Sequence, residues 1–195
     1  MIDHLLASPH YGERWGRHWL DLARFAESHG FEQDYDRPHA YHYRDFVIKA
    51  LNADMPYTQF VRWQIAGDEI APTDPEALVA TGYLRHWIYE YNQRNVAAQW
   101  EHIVNDVTDV TGDVFLGLGM QCARCHDHKF DPILQKDYYR LQAFFAPMLP
   151  RDDLPLAAPP QWMDYKTKLA QWESLTAEIR AQIDKIVKPH MTRAA

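Results

Sequence analysis

The 195-residue chain is predicted to be all-α. Three observations support this. Apolar residues recur three and four apart over long stretches, most clearly at Val96, Trp100, Ile103, Val107, Val110, Val114 and Leu118. Period-two alternation of β-branched residues is scarce. Only eight residues are glycine, too few for a turn-rich β architecture. About seven helices are expected, the last long and amphipathic. Hydrophobic residues make up 47%, an ordinary globular share that excludes disorder as a class. The formal charge is −7 with no basic stripe, which argues against a nucleic-acid partner. No apolar run is long enough to cross a bilayer.

Taken in order, residues 2–8 read as the tail of a helix. Pro9 suits the first turn of the next, expected to reach about Ala26 with Trp15, Trp19, Leu22, Ala23 and Ala26 on its apolar face. Gly30 and Pro38 break it. A helix over 41–53 turns Phe46, Val47, Ala50 and Leu51 inward, and "NADMP" is a turn. Pro56 opens a third helix to about Ala66, with Phe60, Val61 and Ile65 inward. Thr73 or Asp74 caps a short helix from Pro75. Residues 86–95 read as a loop or short extended piece. The clearest helix follows, from Val96 to Leu118, ended by Gly117 and Gly119. Another runs from about Leu134 to Ala146, lined by Tyr138, Leu141, Phe144 and Phe145.

Five prolines within 147–160 mark a linker or strap. Residues 161–188 then repeat Tyr165, Leu169, Trp172, Leu175, Ile179, Ile183 and Ile186 as an amphipathic helix. The expected organisation is a helical domain over 1–147, a Pro-rich linker over 148–160, and an amphipathic helix over 161–195. That helix is expected to pack on this domain, a second copy or a neighbour. The start lacks a basic end followed by a long apolar stretch, so the chain is expected to be a fragment whose export signal lies upstream.

Chemistry concentrates in "MQCARCHDHKFDP", residues 120–132, which holds both cysteines of the chain. Cys122-Ala-Arg-Cys125-His126 matches the attachment pattern of a covalent haem c, one per chain. Each thiol adds across one vinyl group, and two intervening residues let a tight helical turn span both. The histidine after the second cysteine then ligates the iron. Three other chemistries compete. A structural zinc could draw on Cys122, Cys125, His126 and His128, but adjacent ligands point apart and no second separated pair exists. A thioredoxin-like site would need a strand before the motif. A disulfide three residues apart constrains almost nothing. Aromatics make up 13% of the chain, enough to wall a porphyrin as well as a core. Arg124, Lys129 and Arg24 are candidate partners for haem propionates. Asp34/Asp36 and Asp152-Asp153 read as solvated loop charges. No phosphate loop or nucleophile elbow is present.

The wider surroundings carry a resemblance. "LLASPHYGERWGRHWLDLARFAES", "YRDFVIKALNADMPYTQF", "QIAGDEIAP", "ATGYLR", "DVTGDVFLGLGMQCARCHDHKFDPI" and "DYYRLQAFFAP" together cover nearly all of residues 2–147. In them the chain resembles the second type of planctomycete-specific cytochrome c domain, a domain of unknown function in large modular exported proteins. The resemblance implies haem attachment at Cys122, Cys125 and His126, with the motif running on through His128, Lys129, Asp131 and Pro132. It also implies a periplasmic or exported location. Attachment of haem c outside the cytoplasm implies the same.

The opposite face of such a haem would decide its function. His18 is the first candidate distal ligand, then His102 and His29. Met55, Met148 and Met163 lie near loops, and Met120 is too close to Cys122 to swing across the ring. His128 is expected to bond a propionate or fix the motif's turn. The preferred reading is an electron-transfer module serving a redox partner protein or neighbouring domain. The alternatives are a haem enzyme of peroxidase or small-ligand type, with Arg24 or His18 handling a proton, and a haem- or metal-stabilised interaction scaffold. Oligomeric state is open.

Overall fold

The computed structural model describes residues 1–90, 94–151, 154, 156–157 and 159–194. Part of the 86–95 segment, part of the Pro-rich stretch and the pair Asp152-Asp153 therefore lie outside the described residues. Eight α-helices occur among the described residues: α1 (Ile2–Leu6), α2 (His10–Leu22), α3 (Tyr41–Asn52), α4 (Tyr57–Ile70), α5 (Pro75–Ala80), α6 (Val96–Thr111), α7 (Gln135–Phe145) and α8 (Pro159–Ala194). The fold is all-α, and the β pairing among these residues is one isolated bridge, Ser28 to Asp36. The chain divides into two compact units, Met1–Leu154 and Pro155–Ala195. No described helix is long and apolar enough to cross a membrane.

In the first unit, α2 and α3 pack closely because glycine faces the contact. A Cβ on Gly12 would overlap the Ile48 carbonyl oxygen, and one on Gly16 would touch the side chains of Ile48 and Val47. This corrects the expected α2 face. Trp15 and Leu22 are more than half exposed, while Gly12, Gly16 and Ala23 are buried. Apolar periodicity located the helix but missed the small residues that let two backbones approach. The helix also ends four residues early, at Leu22, where Arg24 takes a left-handed φ of 59°.

α3 buries Phe46, Val47 and Ala50 as expected, together with Tyr43. α4 runs past Ala66 to Ile70 through a kink at Ala66. Gly67 there abuts the Ala77 carbonyl, so α5 seats against the kinked turn. Asp74 caps α5 by accepting from the Glu76 amide at 2.9 Å. One polar triad crosses this core. Trp19 Nε1 donates to the Tyr43 hydroxyl and to Gln64 Oε1, each at 3.0 Å, and the Tyr43 hydroxyl donates to the same oxygen at 2.6 Å. Gln64 Nε2 donates to the Phe60 carbonyl at 3.0 Å. Every member is satisfied, which fixes the register of α2, α3 and α4.

α6 buries Ile103, Val104 and Val107, but it is shorter than its apolar seam. It passes at Gly112 into a π turn, Gly112–Leu116, and stops at Gly117 with φ 63°. Val96 and Leu118, at the two ends of the expected seam, are exposed. α7 buries Tyr138 and Phe145 and leaves Phe144 at 79% exposure, contrary to the expected lining. In the second unit, α8 extends over 36 residues and exposes Trp172, Leu175, Ile179 and Ile186.

His86 is the least comfortable core residue. It is buried between Phe25 and Tyr43, ring centroids 5.5 and 4.7 Å away, with neither ring nitrogen hydrogen-bonded. Burial, helped by Arg37, Arg24 and Arg85, pushes its imidazole down to about 3 from an ordinary 6.5. The unfolded chain therefore takes up the proton first as pH falls. Stability from this group is complete above 6.5 and declines as pH drops towards 3, by up to about 1.4 kcal/mol per pH unit.

Two outcomes are expected. Gly12→Ala lowers stability by about 1–3 kcal/mol in denaturant unfolding, whereas Gly119→Ala, with open space around its Cβ, changes little. His86→Phe flattens the fall in stability between about pH 6 and 5. Parallel pH slopes for wild type and variant would contradict the neutral buried histidine.

Candidate functional site

The cysteine motif forms a short 3-10 turn, Met120–Arg124. The Cys125 and His126 amides both donate to the Cys122 carbonyl, at 3.3 and 3.4 Å. This closes one helical turn over the pattern. The turn has an inside and an outside. Met120 and Ala123 are buried against Ile133 and Tyr138, while Cys122 and Cys125 are exposed and free. Thus the small residue between the cysteines packs inward, and the thiols face away from the core.

His126 is exposed directly after them. Its Nδ1–H donates to the Asp127 carbonyl at 2.8 Å. A carbonyl only accepts, so Nδ1 carries a proton, and in the neutral ring the lone pair lies on Nε2. A metal-binding imidazole needs this tautomer, held by a hydrogen bond on the far nitrogen.

Two helices hold the turn. Asp127 Oδ1 accepts from the Gln135 amide at 2.8 Å and so caps α7 from within the motif. The Arg124 carbonyl accepts from Gln135 Nε2 at 3.2 Å and from the Tyr139 hydroxyl at 3.0 Å. From α6, Asp109 stands 3.7 Å from the Arg124 guanidinium and accepts from the Tyr138 hydroxyl at 2.9 Å. Burial raises the pKa of the Asp109 carboxyl, against the opposing pull of Tyr138 and Arg124. One turn on, Asp113 accepts from Gln121 Nε2 at 3.5 Å. Sequence reasoning did not single out Asp109, Asp113 or Asp127. Asp127 carried the one available signal, a carboxylate ahead of a predicted helix start.

His128 closes the following loop. Its Nδ1 accepts from the Asp131 amide at 2.9 Å and the Phe130 amide at 3.4 Å, and its own amide donates to the Ile133 carbonyl at 2.8 Å. The side chain fixes the turn after the motif. Among the described residues, no three His, Cys, Asp or Glu side chains converge to hold a metal ion. Cys122, Cys125, His126 and His128 therefore form no zinc cage. A thioredoxin-like setting is also missing, since a π turn and a loop lead into the motif.

The chain belongs to the PSCyt2 family. The match to that family, described as a protein of unknown function (DUF1549), spans residues 1–149. It therefore covers the motif and both helices that hold it. No curated protein matches the chain, and no solved structure does.

The remaining sequence candidates are scattered. His18 is exposed on α2, its Nε2 accepting from Arg14 Nη1 at 3.4 Å and its ring 5.5 Å from Trp15. His102 is exposed on α6. His29 is half-buried, its Nδ1 accepting from Arg37 Nε at 3.2 Å. Arg24 pairs with Asp106, and Lys129 lies over the Phe130 ring at 5.1 Å. Of the candidate propionate partners, Arg124 belongs to the motif turn itself.

Removing the Asp109 carboxylate leaves the buried Tyr138 hydroxyl without its best acceptor. Asp109→Ala is expected to cost about 1–3 kcal/mol in thermal or denaturant unfolding. It is also expected to speed amide exchange at Cys125 and His126. Unchanged exchange there would show that α6 does not position the motif.

Proposed function

We propose that this chain is a c-type cytochrome domain that carries one covalent haem and exchanges electrons with a partner protein or neighbouring domain. Cys122 and Cys125 would hold the cofactor through thioether bonds, and His126 Nε2 would ligate its iron. The observation that carries the reading is the donor set: two exposed thiols on one helical turn, followed by an imidazole whose Nδ1–H is already held by the Asp127 carbonyl.

When bound, the haem would supply one-electron redox chemistry. The chain's own contribution is positional. Ala123 packs inward so that the thiols face out, Asp127 orients His126 and caps α7, and His128 closes the loop beyond. Exposed apolar side chains flank the motif in sequence, namely Leu116, Leu118, Phe130 and Leu134. A surface of this kind suits a flat apolar ring that covalent bonds retain without a deep pocket. A cofactor bonded to these exposed thiols would lie near the surface, within reach of a partner, which favours electron transfer. Because haem c is attached outside the cytoplasm, the reading carries a periplasmic or exported location with it.

Reduced protein mixed with carbon monoxide tests this role. Slow or absent spectral change is the result expected of an electron-transfer domain. Rapid, stoichiometric carbon monoxide binding would replace electron transfer with the small-ligand or peroxidase-type reading.

A further inference from the structure

α8 makes up almost all of the second compact unit, and among the described residues that unit has no second helix to cover it. Its apolar residues recur alternately three and four apart. Trp162, Tyr165, Leu169 and Trp172 form the first half of this seam. Thr176, Ile179, Ile183 and Ile186 form the second. Such a repeat keeps one stripe facing a partner helix along its whole length, as in a coiled coil. Tyr165, Trp172, Ile179, Ile183 and Ile186 are each more than half exposed. The opposite side carries Asp164, Glu178, Asp184 and Lys185.

The seam is prepared for burial. Thr176 is its one polar member, and the Thr176 hydroxyl donates to the Trp172 carbonyl at 2.7 Å. Covering it therefore leaves no unmet donor. Lys166 and Arg180 border the seam, and their cations lie over the rings of Trp162 and Trp172 at 5.2 and 5.1 Å. The Trp162 and Tyr165 rings stack with centroids 5.3 Å apart. The aromatic anchors are thus ordered before a partner arrives, which lowers the entropy lost on docking.

We propose that the partner is a second copy of this chain, the two α8 helices pairing antiparallel about a two-fold axis near Ser174. A long coiled-coil seam needs a partner with the same repeat over the same length. α8 spans 36 residues, whereas the next longest described helix, α6, spans 16. The antiparallel register also sets the bulky half of the seam on the slender half. Trp162 faces Ile186 of the partner subunit, Tyr165 faces Ile183 of the partner subunit, and Trp172 faces Thr176 of the partner subunit. Large against small interdigitates, whereas a parallel pair would set each tryptophan on its own copy.

Two residues beside the seam fit the same register. Leu175, at 84% exposure, meets Leu175 of the partner subunit across the axis. Glu173 and Arg180 stand 3.9 Å apart within one helix, at the limit of an ion pair. Across the axis Glu173 lies beside Arg180 of the partner subunit. With roughly 100 Å² left to bury per side chain, the seam and Leu175 contribute about 800 Å² per copy, the area of a standard specific interface. The pairing does not depend on the haem reading.

Sedimentation equilibrium of the full chain tests the pairing. A species at twice the 22.9 kDa chain mass is expected at micromolar concentration. Ile179→Glu places a charge in the seam and is expected to weaken the dimer about a hundredfold or more. Ala181→Glu, on the far side of the helix, is expected to leave it unchanged. Spin labels at Lys188→Cys, in a Cys122→Ala/Cys125→Ala background, report the orientation. The antiparallel register separates them by roughly 40–50 Å, whereas a parallel pair holds them within about 30 Å. A monomer at every concentration would leave the seam to a helix of another protein or domain and overturn the proposal. A dimer indifferent to Ile179→Glu, a larger assembly, or labels at the shorter distance would overturn it too.

Discussion

One buried carboxylate ties the motif to the rest of the fold. Asp109 sits on α6 at 8% exposure and takes the Tyr138 hydroxyl on one oxygen, with the Arg124 guanidinium near the other. Tyr138 is fully buried on α7, and Arg124 lies between the two cysteines. A single side chain thereby sets the distance between α6 and α7 and the rotation of the turn they support. Such a group is expensive to bury unless its partners are in place. The carboxylate therefore couples the packing of α6 and α7 to the placement of the turn.

The same face of α6 reaches further. Asp106 and Asp109 on α6, and Asp113 in the π turn that continues it, recur at three and four residues, and each engages a different segment: the end of α2, the motif with α7, and the start of the motif turn. α6 acts as a polar spine on this side and an apolar one, through Ile103, Val104 and Val107, on the other. The motif needs this external support because a 3-10 turn of five residues has little stability of its own. Covalent attachment would in turn explain why the donors lie at the surface. A cofactor held by dissociation equilibrium needs a deep apolar pocket, while one held by bonds to sulfur needs only a fixed platform.

Much of this was legible in the residue order. Helical class followed from periodicity, and the spacing of Cys122, Cys125 and His126, a purely local signal, marked the segment that folds as one short turn. What failed was long-range. α2 was oriented by its large residues, Trp15 and Leu22, when Gly12 and Gly16 decide its contact, because the absence of a side chain leaves no mark on an apolar pattern. The seam of α6 was overextended, because Val114 and Leu118 continue the spacing after the π turn has changed the helix. Asp109 looked like one acid among many, since its partners lie 15 and 29 residues away. His86 carried no pattern at all. Its burial depends on Phe25 and Tyr43, which only the folded chain brings to it.

The account stands on sulfur–carbon bonds at Cys122 and Cys125. The most direct measurement is the intact mass of the full chain, produced in a host that attaches haem c and denatured in acid to strip any unattached cofactor. The account predicts a mass greater than the polypeptide by one haem, lost when both cysteines are replaced by alanine. A mass equal to the bare polypeptide from such a host would contradict it.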